Sequence, residues 1–541
     1  MPRLLTILFG SVLTLVTLVS CQSNPSSGKK IFRYNEFNGI PTLDPAFARN
    51  QAIMWPVHQL YNTLVEVDDS LRIKPLLATR WEFSADRKEI LFFLRNDVRF
   101  HDDACFKNGK GRLMNAEDVV YSLKRITDPA VASPGAWIFN GKLDSTAGIT
   151  ALNDSVVRLK LTRPFQPIMG ILTMQYCSII PQEAVRYYGN DFRRHPVGTG
   201  PFRFIAWEEG QALILRKNDH YFENDEKGNR LPYLDGIKIS FLDSRATEFL
   251  QLQMGNLDFI NDVDPSFKDE VLTKTGNLKK AWDGKLLLQK HPYLNVEYLG
   301  VLMDTTNELL RNSPLKQKLF RRAISYAINR KKMMLYLRNS IGTAAESGFI
   351  TQGLPAYDKE KLKGYTYDPA AARCLLSSIN YDEKKFAPLI LTTVPVYSNL
   401  ATYVANDLEQ VGISVKIETV QKSLLLQQMA GSKLAFFRGS WIADYPDEEN
   451  YLSVFYSKNP APPNYTRFSN PLYDHLYEGV LTETDERKRR SIYQRMDSII
   501  VDESPVIPLW YDMAIHLVRP EISGFSANSL NMLELRRLRK Q

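Results

Sequence analysis

Strand and helix patterns alternate over one stretch of this chain, and this restricts its fold more than any other feature of the sequence. Two short apolar runs and one strictly alternating run have strand character, and two segments between them have apolar residues at helical spacing. The first helical segment stops at Gly412, a common residue after a helix end. This β-α-β-α-β order predicts a parallel or mixed sheet. The segments are residues 389–394, 399–411, 413–418, 423–429 and 434–437.

The rest of the chain supports an α/β fold with more than one lobe. A second strand-helix-strand unit covers residues 237–260. Residues 76–194 look different, with strands at 89–95 and 155–161 around a helix at 116–126. At 541 residues the chain exceeds the roughly 250–300 at which a single hydrophobic core stops growing, so two or three lobes are expected.

Two further helices are predicted from their first residues. Ser313 and Pro314 have the order of a cap followed by a first helical position, which predicts a helix over residues 315–329. Asp368 and Pro369 open a second helix in the same way.

The N-terminus has the organisation of an export signal. Residues 4–19 are apolar, Arg3 precedes them, and the small Ser20 and then Cys21 follow. The apolar run is shorter than the roughly 20 residues that span a bilayer. The segment resembles a bacterial lipoprotein signal, in which residues 1–20 are removed and Cys21 becomes a lipidated first residue. An ordinary secretory signal is the alternative, and either interpretation places the protein outside the cytoplasm.

Composition and cysteine count add few constraints. Hydrophobic residues make up 44% and charged residues 24%, which is ordinary for a globular protein. The net charge of +8 is modest, and the basic C-terminal residues 536–540 are interpreted as a solvated end, so no nucleic-acid partner is expected. Cys105, Cys177 and Cys374 lie far apart and are odd in number, which does not indicate a disulfide framework.

Motifs typical of catalysis are missing from the sequence. It contains no H-E-x-x-H zinc motif, no G-x-S-x-G elbow and no G-x-x-x-x-G-K-[ST] phosphate loop. The string Gly198–Pro201 runs directly into a predicted strand at 202–207, so no helix N-terminus follows it. We therefore expect no catalytic residues and no cofactor.

One cluster of metal-capable side chains, residues 101–105, needs a separate interpretation. Its members are adjacent on an irregular loop, where they seldom converge on one ion, and Lys107, Lys110 and Arg112 follow. We therefore expect a solvated loop and no metal site.

Eight short strings follow one another along the chain. They are TLDP (42–45), LYNTLV (60–65), PLLA with a tryptophan (75–81), FLRNDVRFHD (93–102), AEDVVYS (116–122), PVGTGPF (196–202), RRAISYAINR (321–330) and WIADYPD (441–447). Together these strings resemble the extracellular solute-binding proteins of the peptide/nickel group, which feed ABC importers. The string at 196–202 is the most specific to that family. Two departures are a longer loop between His101 and Arg112, and Glu448 followed by Glu449 where the family usually has proline after Asp447.

The resemblance implies a bilobal periplasmic-binding-protein-like α/β fold, of the large type II form, with a hinge between the lobes and an extra subdomain in lobe I. The signal and lipidated tether would occupy residues 1–20 and 21–30. The implied segments are then 31–66 for the first part of lobe I, 67–194 for the extra subdomain, 195–292 for the second part of lobe I, 293–507 for lobe II, and 508–541 for the return to lobe I.

A candidate ligand site lies at residues 438–444. Because the predicted strand 434–437 ends there, these residues would lie at the carboxyl end of a strand, where open α/β sheets bind ligands. A peptide zwitterion needs a carboxylate, a guanidinium and free backbone edges. The resemblance implies that Asp444 holds the α-amino group of a peptide, with backbone bonds around Ser440 and Ile442 and a side-chain wall at Trp441. Arg438 would supply the guanidinium.

Each of these residues also has a structural interpretation. In that interpretation Trp441 belongs to the core, Arg438 pairs with a local acid such as Asp447, and Asp444 caps a turn before Pro446.

The favoured function is that of a binding protein delivering short peptides to the permease subunits of an ABC importer. It would act as a monomer, attached to the cell membrane through lipid on Cys21, without a reaction of its own. Oligosaccharides or chelated nickel are the alternative ligands. An extracellular peptidase on the same scaffold, or a receptor or chaperone that presents its ligand, are the other classes of function.

Overall fold

A computed structural model describes residues 28–264 and 266–541. The predicted signal, Cys21 and most of the predicted tether therefore lie outside the described residues. Within the described ranges, no helix has the length and apolar character needed to cross a membrane.

Strands and helices alternate along most of the described chain. The strands are β1 (Ile31–Asn35), β2 (Val65–Val67), β3 (Ile73–Pro75), β4 (Ala78–Phe83), β5 (Glu89–Leu94), β6 (Ile149–Asn153), β7 (Val156–Lys160), β8 (Phe202–Glu208), β9 (Ala212–Lys217), β10 (Gly236–Ser240), β11 (Phe259–Asn261), β12 (Leu287–Val301), β13 (Thr343–Ala344), β14 (Leu389–Thr393), β15 (Val415–Thr419), β16 (Phe436–Ile442), β17 (Val506–Val518), β18 (Ile522–Ser523) and β19 (Arg539–Lys540).

The α-helices lie mostly between these strands. They are α1 (Gln51–Leu60), α2 (Ala116–Thr127), α3 (Ile168–Ile171), α4 (Gln182–Tyr188), α5 (Arg245–Gln253), α6 (Lys268–Val271), α7 (Lys318–Ala327), α8 (Arg330–Arg338), α9 (Pro369–Ser378), α10 (Ser398–Glu409), α11 (Lys422–Ala430), α12 (Glu448–Leu452), α13 (Pro471–Val480) and α14 (Glu486–Glu503).

The main sheet is mixed, as the strand-helix alternation predicted. Its strand order is β15-β14-β16-β12-β17-β11-β1-β10-β9-β8. β14 runs parallel to both β15 and β16, with α10 and α11 as the crossover helices. β1 likewise lies parallel to β10 and β11, while the remaining neighbours in this order are antiparallel.

Two long strands join the two halves of this sheet. The N-terminal part of β12 pairs with the C-terminal part of β17 beside β11, and the C-terminal part of β12 lies between β16 and the N-terminal part of β17. The register between β12 and β17 shifts between Pro292 and Val296, which is where the sheet passes from one half to the other. Regular ladder bonds are interrupted at such a shift, so the strands bend there more easily than elsewhere. The predicted bilobal fold with a hinge is confirmed, and the exact segment boundaries stay a prediction.

A separate antiparallel sheet forms the part of lobe I that looked different in the sequence. Its order is β4-β5-β7-β6, and α2 packs against β6 and β7. The helix begins where predicted because Asn115 accepts hydrogen bonds from the backbone N–H groups of Glu117 and Asp118 while the Asp118 carboxylate bonds the Asn115 N–H.

The predicted helix over residues 315–329 is confirmed only in part, as α7 at Lys318–Ala327. The chain forms one 3₁₀ turn at Pro314–Lys316, becomes extended at Gln317 and starts α7 at Lys318. Ser313 caps the short turn, as expected of it. The Arg321 guanidinium donates hydrogen bonds to the carbonyl oxygens of Leu315 and Lys316 at 2.9 and 3.0 Å. The Arg321 side chain therefore binds two carbonyl groups that backbone N–H groups would bind in a continuous helix.

The strings around His101 and Gly198 have a structural role. The His101 N–H donates to the Gly198 carbonyl at 2.8 Å, and its imidazole Nε2 lies 2.9 Å from the Gly200 carbonyl. A Cβ atom on Gly198 or Gly200 would lie 2.1–2.4 Å from the backbone of Leu60, so neither position has room for a side chain. These residues join the subdomain loop to the end of α1.

Candidate functional site

One edge of β16 is free along the second half of the strand. β14 pairs with β16 only at Phe436 and Phe437. On the other side β12 pairs along the whole strand, and the Ala443 N–H continues this ladder with a 2.9 Å bond to the Leu294 carbonyl. Since backbone groups alternate in direction along an antiparallel ladder, those of Ser440 and Ile442 face away from β12. No other strand in the described ranges pairs with them, so the edge is open to an added chain.

The predicted strand end at Phe437 is wrong, because β16 continues to Ile442. Arg438 and Ser440 consequently lie inside the strand rather than beyond it. Side chains alternate between the two faces of a strand. The structure therefore places Arg438, Ser440 and Ile442 on one face and Trp441 on the other, so it does not bring all of the predicted side chains together. Ser440 and Ile442 are exposed, and Trp441 is half-buried.

Arg438 forms a buried ion pair with Glu297 of the neighbouring strand. Its Nη2 lies 2.6 Å from Glu297 Oε2, its Nε also contacts that carboxylate, and the two side chains are 11% and 2% exposed. The guanidinium carbon also lies 3.4 Å from the centre of the Tyr397 ring. Glu297 and Tyr397 therefore already bind the guanidinium. The expected contact between Arg438 and a ligand carboxylate stays a prediction.

The alternative pairing of Arg438 with Asp447 is wrong. Asp447 lies beyond the strand end, where it caps α12 through the Glu449 N–H. Its carboxylate lies 2.8 Å from Arg489 and accepts the Tyr493 hydroxyl at 2.9 Å.

Asp444 follows the end of β16 and faces the cleft between the lobes. Its side chain is open to solvent inside the cleft, but protein atoms surround it on most sides. This enclosure raises the pKa of the carboxyl to about 6, and the amide of Asn450 partly opposes the rise. The alternative role of Asp444 was to cap the turn before Pro446. In the described residues its carboxylate instead accepts a hydrogen bond from the side chain of Asn450.

Asn450 holds two of the predicted site residues in place. Its Oδ1 accepts the Trp441 indole N–H and the Asp444 backbone N–H, both at 3.2 Å. Its Nδ2 donates to Asp444 Oδ2 at 3.4 Å, and the residue is 3% exposed. Nothing in the sequence indicates this role, although Asn450 lies only six residues after Asp444.

The two glutamates that depart from the family pattern are buried away from the cleft. Glu448 accepts the Ala356 N–H at 2.6 Å, and Glu449 accepts the hydroxyls of Tyr445 and Tyr477. They hold the loop that carries Asp444 against the body of lobe II.

Two cavities meet at Asp444. The first chamber, of about 650 Å³, includes His58, Glu66, Glu534 and Arg536 in its wall. The second chamber, of about 860 Å³, includes Trp55, Trp137, Tyr176, Tyr293, Lys422 and Ile442. Besides Asp444, the walls share Met54, Met174, Gln175, Ala443, Leu530 and Met532.

Most of these wall residues are missed by sequence reasoning, because they come from segments far apart in the chain and carry no common motif. Tyr176 shows their connection to the site. Burial raises the pKa of its hydroxyl to about 12, and the nearby negative charge of Asp444 adds to the rise.

Within the described ranges, no three histidine, cysteine, aspartate or glutamate side chains lie together as metal ligands would.

Comparisons with known proteins agree with this geometry. The model of the family described as "Bacterial extracellular solute-binding proteins, family 5 Middle" matches residues 72–463. The chain is 26% identical to heme-binding protein A of Haemophilus influenzae over 86% of its own length and 84% of the relative's. It is 25% identical to the dipeptide-binding protein of Escherichia coli over 87% of each. The structure of DppA from Helicobacter pylori, in complex with the peptide STSA, superposes with a TM-score of 0.74 at 24% identity, covering 94% of this chain and 98% of the other.

Proposed function

Because this chain belongs to family 5 of the bacterial extracellular solute-binding proteins, we propose that it captures short peptides between its lobes and delivers them to the permease of an ABC importer. The family resemblance predicted from the sequence is confirmed. The observation that carries the proposal is Asp444, a carboxylate that opens into the cleft beside the free edge of β16. The relative named for dipeptide binding and the structure with the bound peptide STSA support it.

An extended peptide fits this arrangement in one direction. Its N-terminal ammonium would lie at Asp444, and its backbone would run antiparallel to β16 beside Ile442 and Ser440. Ile442 lines the second chamber, so the main chain of the peptide would occupy that chamber. The ammonium needs a buried or enclosed carboxylate to replace its hydration, and Asp444 supplies one.

The alternative ligands are less well supported by the residues in the walls. Chelated nickel would need an available imidazole, but His58 contacts Glu534 through Nε2 at 3.2 Å and Gln175 through Nδ1 at 3.4 Å. Sugars would stack on the aromatic side chains of the second chamber, but they would not need the charge of Asp444.

The relatives named here are binding proteins, and we propose no reaction for this chain.

Acetylation of the peptide N-terminus tests the proposal directly. We expect a tripeptide to bind the ligand-stripped protein, and its N-acetylated form to bind at least about tenfold more weakly, because acetylation removes the positive charge that Asp444 meets. Calorimetric titration with both peptides measures the two affinities, and a C-terminal amide of the same peptide serves as the control. Equal affinities for the free and acetylated forms would contradict an α-amine site.

We also propose that the protein is attached to the membrane through lipid on Cys21. The variant Cys21→Ser is expected to remain unlipidated and largely unprocessed after residue 20, because lipoprotein processing needs the thiol. Detergent partitioning and mass spectrometry of the N-terminus measure this. Cys374→Ser, at an exposed cysteine of α9, is the matched control and should be processed normally. Cleavage of Cys21→Ser after Ser20, with continued partitioning into detergent, would rule out the lipid anchor.

A further inference from the structure

The first chamber lies beyond the point where a peptide main chain would start. Asp444 belongs to the walls of both chambers, but Ile442 belongs to the wall of the second chamber alone. A peptide whose ammonium meets Asp444 and whose backbone follows Ile442 therefore leaves the first chamber free. The side chain of its first residue is the part of the ligand that can enter there. The chamber volume of about 650 Å³ is sufficient for a long side chain with water.

At the inner wall of the first chamber, one guanidinium is bound by three carboxylates, of which Glu66 and Glu534 line the chamber and Glu223 does not. Arg536 contacts Glu66 and Glu223 at 2.6 Å each and Glu534 at 3.2 Å. Arg536 is only 9% exposed, and the side chains of the three glutamates are 18–19% exposed. One positive charge thus faces three negative ones in a largely enclosed cluster. His58, 3.2 Å from Glu534, and Tyr221, whose hydroxyl donates to Glu223 at 2.8 Å, are further titratable groups in contact with this cluster.

The outer part of the chamber does not correct this imbalance. Arg72 and Lys74 are both paired with Asp68, at 2.8 and 3.7 Å. Two more acidic residues, Asp69 and Glu226, and one more basic residue, Arg537, also line the chamber. The charges at the rim are therefore mixed, and the negative excess remains at the inner wall of the chamber that Asp444 also lines.

We propose that the first chamber binds a positively charged side chain, lysine or arginine, on the first residue of the captured peptide. This inference rests on the proposed function, since it takes Asp444 as the site of the α-amine. An ammonium or guanidinium in the chamber would compensate the enclosed carboxylates of Glu66 and Glu534, which the single charge of Arg536 leaves in excess. Long basic side chains also bring an apolar stem, which suits Met54, Met174 and Met532 at the junction of the chambers.

A pair of peptides that differ in one charge tests the inference. We expect Lys-Ala-Ala to bind at least about tenfold more tightly than norleucine-Ala-Ala, because the two first residues are similar in length and only lysine carries a charge. Ala-Lys-Ala controls for a general attraction of positive charge, and it should not show the gain. Calorimetric titration of the ligand-stripped full-length protein at low and physiological salt gives the three affinities.

Variants of the wall locate the effect. In Glu66→Gln and Glu534→Gln, the ratio of the lysine to the norleucine affinity should fall to within about threefold. Glu183→Gln is the matched control, because Glu183 also binds an arginine, Arg112, at 2.6 Å but lies outside both chambers. Its ratio should equal that of the unaltered protein. Thermal melts of each variant show whether it is folded.

The outcomes separate this inference from the proposed function. Equal affinities for the lysine and norleucine peptides, both lost on acetylation, would overturn the basic subsite and keep the peptide site. An unchanged ratio in both glutamine variants would also overturn the subsite. If neither peptide binds, or if acetylation has no effect, the peptide site itself is wrong.

Discussion

Replacing Asp444 by alanine is expected to weaken the binding of a short peptide by a factor on the order of a hundred or more. In the complex, the ligand ammonium is enclosed between the lobes, and removal of its carboxylate leaves it there uncompensated. Loss of one partner of an enclosed ion pair costs roughly 3–5 kcal/mol, and each 1.4 kcal/mol is about tenfold in affinity. The ligand-free protein should not lose stability, because the enclosure that raises the pKa of Asp444 already disfavours its charged form in the empty cleft.

The pH dependence of binding provides a second measurement of the same contact. The pKa of Asp444 is raised to about 6, so the carboxyl is increasingly protonated below that pH and cannot pair with the ammonium. Above about pH 8 the α-amine of the peptide loses its own charge, so the affinity should be greatest near pH 7. Below the pKa of Asp444 the affinity should fall towards tenfold per unit of pH. Asp444→Asn keeps the shape but lacks the titrating group, so its weaker binding should lose this dependence. Titrations between pH 5 and pH 8 measure both profiles, and a flat profile for the unaltered protein would show that Asp444 does not hold the ligand.

Arg438→Ala is expected to lower the free energy of unfolding by roughly 3–5 kcal/mol, because it leaves the charge of Glu297 buried without its partner. Glu297 is 2% exposed and lies on β12, the strand that both lobes share. Urea denaturation of the ligand-free protein, followed by tryptophan fluorescence, measures the loss.

A double variant separates the lost charge pair from lost packing. Arg438→Met with Glu297→Leu removes both charges and keeps similar volumes, so it should recover most of the stability lost in Arg438→Ala. If the double variant is as unstable as the single one, the loss comes from packing against Tyr397 rather than from the uncompensated carboxylate.

The fold was predictable where its signals are local. The spacing of apolar residues between Leu389 and Phe437 identified two crossover helices and three parallel strands, and Asp368 with Pro369 correctly marked the start of α9. The interruption at Gln317 was missed because the Arg321 side chain takes up carbonyl groups of the preceding turn. Such competition between a side chain and the backbone leaves no trace in hydrophobic spacing.

The site was predictable only in part, for a similar reason. The family string around Asp444 indicated a candidate ligand residue, and the structure places it in the cleft. The partner of Arg438 was not predictable, since Glu297 lies 141 positions away in the chain. The extension of β16 to Ile442 was also missed, because Gly439 and Ser440 interrupt the apolar pattern while β12 continues the ladder. Long-range pairing therefore fixes the geometry that local patterns leave open.

The free edge of β16 also bears on how the protein avoids self-association. An unpaired strand edge can recruit the edge of another sheet and so start aggregation. Here the edge ends at Asp444, in a recess where residues of lobe I form the facing wall, so a second folded copy cannot approach it. Only a single extended chain is thin enough to enter. The recess therefore protects the protein from its own copies. If the chain carries peptides as proposed, the recess would also select them by conformation, since a helical or folded peptide would have to unwind before it could bind.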